Sequence, residues 1–181
     1  ALWPVVRGTP WREHRRSIGW HTGTGVAGEL LAGLGGYLAC LPIVALGVGI
    51  TLALNFFLGG QGEPLPTHPL GDRIATGGSG QLVLAFILAT LWAPIVEESL
   101  FRGALYRHLR ARWGVVLSAL LNGVIFAAIH PQGWMAIPPL TALAVTFSLL
   151  REWRGSLIAP MTAHALNNGL IVLVMVLITG E

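Results

Sequence analysis

Residues 81–103 read QLVLAFILATLWAPIVEESLFRG. From Gln81 to Val96 the run carries no charge, and then Glu97 and Glu98 arrive together, with Arg102 four residues after Glu98. Apolar stretches of about 17–25 residues span a hydrocarbon layer of about 30 Å, so the run predicts a membrane helix. A charge at bilayer depth costs about 2.5–3.5 kcal/mol on insertion scales, and charges kept there are functional by default. The rest of the chain reads as a scaffold that holds Glu97 and brings partners to it.

Composition agrees with that start. Of 181 residues, 54% are hydrophobic and 10% charged, against about 25% charged in soluble domains. The fold class this implies is all-α, a polytopic membrane helix bundle of about five transmembrane helices around an intramembrane polar site. The 11 basic residues are all Arg and give a net charge of +3. They cluster at helix ends, as loop arginines do, and make no nucleic-acid footprint. One cysteine, Cys40, excludes an intrachain disulfide and a cysteine zinc site, and reads as a small core or lipid-facing residue.

Around the opening stretch the chain divides in order. It opens on Ala1 rather than Met, as a trimmed chain would, and residues 1–27 hold no apolar core of signal-peptide type. Their mixture of Arg and Trp suits a cytoplasmic, interfacial segment. Residues 28–179 form the transmembrane domain, with its motif core at 80–179. The first helix is expected over Glu29–Leu58, with Glu29 at the interface. Its Gly33, Gly35, Gly36, Gly47 and Gly49 should admit close neighbours, and Pro42 should kink it. Residues 59–80, rich in Gly and Pro, predict an outer loop in which His68 is solvated. Four more helices are expected at about 81–110, 115–130, 137–150 and 156–178, with a turn at Pro131–Trp134. Arginine clusters at the N-terminus, after helix two and after helix four put the N-terminus in the cytoplasm and the C-terminus outside. Trp113 and Trp153 fit the inner belt of such a topology, and Trp134 the outer one.

Four polar positions fall at depth: Glu97 with Glu98, His130, and the run from His164 to Asn168. Glu97 lies ten residues before Arg107 and His164 ten after Arg154, so each is about 15 Å from that boundary. Glu98 and Arg102 are four apart and can pair on one helix face. Glu97, rotated by about 100°, is free to face the bundle centre. His164 and Asn168 share a face, and Phe126 and His130 repeat the spacing. Single buried histidines are commonly helix–helix hydrogen-bond partners, and a buried Glu–Arg pair is commonly structural. A carboxylate, two imidazoles and a carboxamide on three helices is harder to obtain from packing alone. A buried glutamate can take a proton from water, and an imidazole with an asparagine can donate to an oxyanion. Glu97, His130 and His164 are equally a sound zinc set with an open fourth position. The His-Glu-x-x-His helix of soluble metalloproteases is absent.

At these residues the sequence resembles the CPBP family of intramembrane proteases, the CAAX endopeptidase and bacteriocin-processing group. The matching motifs are Glu97-Glu98-x-x-x-Arg102, Phe126-x-x-x-His130 and His164-x-x-x-Asn168, in the family's order, with Arg154 to Pro160 also similar. The resemblance implies an endopeptidase cutting at or inside the membrane. It implies that Glu97 and His130 activate water, that His164 and Asn168 stabilise the oxyanion, and that Glu98, Arg102 and Phe126 support them. The family has been described both as zinc metalloproteases and as metal-free glutamate enzymes. The His164–Asn168 donor pair favours no cofactor here, with zinc on Glu97, His130 and His164 as the alternative. The expected partners are the lipid bilayer and a peptide or protein tail, lipidated or not, in a bacterial inner membrane. No nucleic acid is expected, and oligomeric state is left open. The rival readings are a non-catalytic bacteriocin immunity or scaffold protein, and a proton carrier using the same acids and histidines.

Overall fold

A computed structural model describes residues 2–58 and 78–179. Two short helices, α1 (Trp3–Val6) and α2 (Trp11–Ser17), precede α3 (Val26–Phe57). Then come α4 (Ser79–Arg110), α5 (Val115–Ala128), a 3₁₀ turn at Trp134–Ala136, α6 (Ile137–Arg154) and α7 (Ile158–Thr179). No strand occurs among the described residues. The chain is a multi-pass membrane protein of all-α class. The helices α3 and α4, the Trp134–Arg154 segment and α7 are each long and apolar enough to cross a membrane. The expected loop at 59–80, with His68, lies outside the described residues except for its last three positions.

The fifth helix is shorter than a crossing. At about 1.5 Å per residue, the 14 residues of α5 make about 21 Å, less than a bilayer core. His130 lies two residues past its end, and the chain turns back through Gly133, whose φ of 80° suits a residue without Cβ. A short α5 thus leaves His130 inside the bundle rather than beyond it. The helix α6 starts on Ile137-Pro138-Pro139, where proline's fixed φ costs no helical bond, and ends at left-handed Gly155. It is the most buried of the crossing segments, with α5 and α3 against it and α7 closing the group. Buried Tyr37, Cys40, Leu143, Phe147, Leu150 and Ala163 form the core between α3, α6 and α7.

Three of the five glycines singled out in α3 are contact points. A Cβ on Gly33 would fall 2.6 Å from the carbonyl oxygen of Ala159, and one on Gly47 2.8 Å from Cα of Pro139. Gly36 faces Leu150, whereas Gly35 and Gly49 face open space. Gly33→Ala is therefore expected to cost about 1–3 kcal/mol by overpacking. Gly35→Ala should be neutral or slightly stabilising, because alanine is the better helix former. Thermal unfolding of the two detergent-purified variants checks the contrast. Equal midpoints would mean that α3 does not pack through this face.

Glu29, expected at the interface, sits in the first turn of α3. Its side chain is fully buried at the start of α3, where Arg154 bonds it at 2.8 Å and the Thr24 amide donates to it at 3.1 Å. The last turn of α6 thereby ties to the first turn of α3. The segment before α3 docks on the same end of the bundle. There Leu157 N–H donates to Gly19 O at 2.9 Å, Ser156 Oγ to His21 O at 2.7 Å, and Trp20 Nε1 to Ser99 Oγ at 3.0 Å.

Candidate active site

Local geometry in α4 sets the site. Its α-helical turns are widened into π-turns at Leu88–Trp92 and Ser99–Leu105, so the Glu97–Glu98 pair sits on a short α-helical piece between two bulges. Such bulges concentrate at functional sites. Pro94 accounts for the first, since it has no N–H for the carbonyl four residues back and its ring crowds that carbonyl. The Ala89 carbonyl in this bulge is taken by Asn168 Nδ2 of α7 at 2.9 Å. At the second bulge, Ser99 Oγ bonds back to Ile95 O at 2.6 Å.

Glu98 faces inward. Its Oε1 accepts from Arg102 NH1 at 2.9 Å, and both side chains are fully buried. Arg102 NH2 also donates to Ala144 O of α6 at 2.8 Å. The guanidinium lies 4.8 Å from the ring centre of Phe126 and 5.1 Å from that of Phe147, a desolvated cation–π sandwich. Glu98 Oε1 further lies 2.8 Å from His164 Nδ1. A carboxylate only accepts, so His164 carries its proton on Nδ1, and in the neutral ring Nε2 is the lone-pair nitrogen. Phe147 stacks on that imidazole at 5.1 Å and 19°.

His130 is held in the same way by a different partner. Its Nδ1 lies 2.6 Å from the Phe126 carbonyl, which likewise fixes the proton on Nδ1. The Phe126 ring packs 4.2 Å from the imidazole. The two imidazoles therefore present Nε2 toward one point. Glu97 Oε2 stands there, 3.8 Å from His130 Nε2 and 3.8 Å from His164 Nε2, and makes no hydrogen bond of its own. Glu97, His130, His164, Asn168 and Phe126 all line one cavity of about 560 Å³, whose remaining walls include Leu88, Trp92, Leu140 and Ile171.

Glu97, His130 and His164 are chemically a zinc set, but their donor atoms are spread. Zinc bonds of about 2.1 Å in a tetrahedron put ligand atoms about 3.4 Å apart, less than the 3.8 Å found here. Among the described residues no group of three or more His, Cys, Asp and Glu side chains is arranged to hold a metal ion. The gaps also exceed a direct hydrogen bond, which leaves Glu97 Oε2 open to a water that also touches an imidazole.

The four sequence-predicted site residues thus lie around one cavity with Phe126, and Glu98 and Arg102 lie behind them. Sequence reasoning missed four features: the Glu98–His164 bond, Phe147, the Ala144 carbonyl, and Asn167, whose Nδ2 donates to Asn168 Oδ1 at 3.3 Å. Phe147 and His164 lie on different helices with no fixed spacing, so no sequence signal joins them. Pro94 was the available signal for the first bulge.

Comparison with known proteins fits this arrangement. Residues 79–170 match the family described as type II CAAX prenyl endopeptidase Rce1-like. The chain belongs to that family. The membrane-embedded CAAX protease MroQ of Staphylococcus aureus is 26% identical over 134 residues, 71% of this chain and 52% of MroQ. An uncharacterized 24.3 kDa protein of Escherichia coli is 27% identical over 143 residues, 71% of this chain and 66% of its own length. The uncharacterized protein YpbD of Bacillus subtilis is 38% identical over 81 residues, 43% of this chain and 39% of YpbD. The chain therefore spans between 39% and 66% of the length of these curated relatives. No solved structure matches it.

Proposed function

We propose that this chain is an intramembrane endopeptidase that hydrolyses a peptide bond of a membrane-associated peptide or protein tail. The observation that carries the reading is the convergence of three groups in a largely apolar cavity. Glu97 Oε2, without a partner of its own, stands 3.8 Å from Nε2 of each of two imidazoles whose Nδ1 atoms are already fixed.

The proposed reaction needs only these groups. A water between Glu97 and His130 gives a proton to the Glu97 carboxylate, and its oxygen attacks the substrate carbonyl carbon. The carbonyl π bond breaks to leave an oxyanion. Asn168 Nδ2 has a second N–H besides the one on Ala89 O and can donate to it. His164 donates through Nε2 when doubly protonated, with the Glu98 carboxylate at its back. Collapse of the intermediate breaks the C–N bond, and the proton held on Glu97 passes to the leaving amine. No step is routed through a metal. The bulky apolar walls suit a tail that is hydrophobic or lipidated. The arginine-rich end of the bundle supports a cytoplasmic N-terminus in a bacterial inner membrane under the positive-inside rule.

The test is a panel of lipidated and unlipidated peptides incubated with detergent-purified protein, with fragments identified by mass spectrometry. The expected result is cleavage of at least one hydrophobic-tailed peptide by the wild type. Cleavage of none of them faster than by Glu97→Ala would overturn the proposal.

A further inference from the structure

A second cavity, of about 300 Å³, opens at the arginine-rich end of the bundle and shares no lining residue with the catalytic one. It lies among Arg102, Tyr106, Arg107 and Arg110 of α4 and Arg151 and Glu152 of α6. Four guanidinium groups meet one carboxylate there, and the pairing leaves a surplus. Glu152 is taken by Arg110 at 2.9 Å and by the Tyr106 hydroxyl at 2.9 Å, while Arg102 is held by Glu98 on its other side. Arg107 and Arg151 have no carboxylate partner among the described residues.

Arg102 is wholly buried against Glu98 and the Ala144 carbonyl, so the surplus rests on Arg107 and Arg151. Arg151 makes only a long bond, from NH2 to Ser17 O at 3.4 Å. Two guanidinium groups without a carboxylate partner, lining one cavity, suit an anion with several oxygens. The cavity sits where α4 and α6 end, and basic pockets between membrane helices at such ends hold anionic head groups. We infer that this cavity is a phosphate site, filled by the head group of an anionic membrane phospholipid seated between Arg107 and Arg151. Nothing in the proposed hydrolysis uses it, so it stands or falls separately.

Native mass spectrometry of the full chain in detergent, titrated with phosphatidylglycerol and phosphatidylcholine in equal amounts, reads the preference directly. The expected result is one retained phosphatidylglycerol in preference to phosphatidylcholine. Arg107→Gln, at an exposed position that does not disturb the core, should weaken retention about fivefold, and Arg107→Gln with Arg151→Gln about 25-fold. Equal retention of the two lipids by the wild type, or an unchanged preference in both variants, would overturn the site. Inorganic phosphate separates the sources. Failure to displace phosphatidylglycerol at equal concentration supports the lipid head group, and displacement overturns that assignment in favour of free phosphate.

Discussion

Replacing Glu97 by Gln is expected to lower peptide cleavage by about 10²–10⁴-fold, the usual contribution of a positioned acid–base group, while leaving the fold intact. The two halves of this result have separate causes. Gln keeps the volume of Glu, and Glu97 Oε2 has no hydrogen bond in the protein to lose, so the helices pack as before. What disappears is the one carboxylate oxygen among the described residues that faces both imidazole Nε2 atoms, and an amide cannot take the proton of water. Unfolding midpoints within error of the wild type, together with a collapsed rate, are the expected pair of measurements. A variant that keeps its rate would assign the chemistry to another group.

The neighbouring carboxylate behaves in the opposite way. Arg102→Met is expected to cost about 3–5 kcal/mol, because it leaves the fully buried Glu98 carboxylate without its cation and with His164 alone as partner. It also removes the cation from between Phe126 and Phe147 and leaves Ala144 O with Ser148 as its remaining side-chain partner. Pairing Arg102→Met with Glu98→Leu removes both charges and should recover most of that loss, as apolar replacement of buried ion pairs commonly does. Activity should not recover with it. In the double variant His164 Nδ1 has lost its acceptor, and a misplaced imidazole costs about 10²-fold. Denaturant unfolding in detergent and cleavage rates on the same three proteins separate the two effects. Recovery of both would make Glu98 a purely structural partner of Arg102.

These residues also show where sequence stops. The helices were legible because a bilayer forces apolar runs of fixed length, and the Glu98–Arg102 pair because four residues return a helix to one face. The meeting of Glu97 with His130 and His164 was legible only as similar depth on three helices. The registers that bring Nε2 of both rings to 3.8 Å of one oxygen depend on packing. The Glu98–His164 bond was not legible, since 66 residues separate its ends and the i,i+4 rule already gave Glu98 another partner. The two π-turns were missed because periodicity assumes a constant turn, whereas Pro94 and the Asn168–Ala89 bond widen it locally. The pairing of Glu29 with Arg154 was likewise not legible, since 125 residues separate the two.

The central claim is that Glu97, with two imidazoles and without a metal, activates the attacking water. Its most direct test is the cleavage rate of the purified wild type on its best peptide, before and after equilibration with 1,10-phenanthroline. An unchanged rate is predicted, because Glu97 Oε2 stands 3.8 Å from each imidazole Nε2, wider than shared zinc ligation requires, and the proposed steps use only these side chains. A rate lost to the chelator and restored by added zinc would contradict the account.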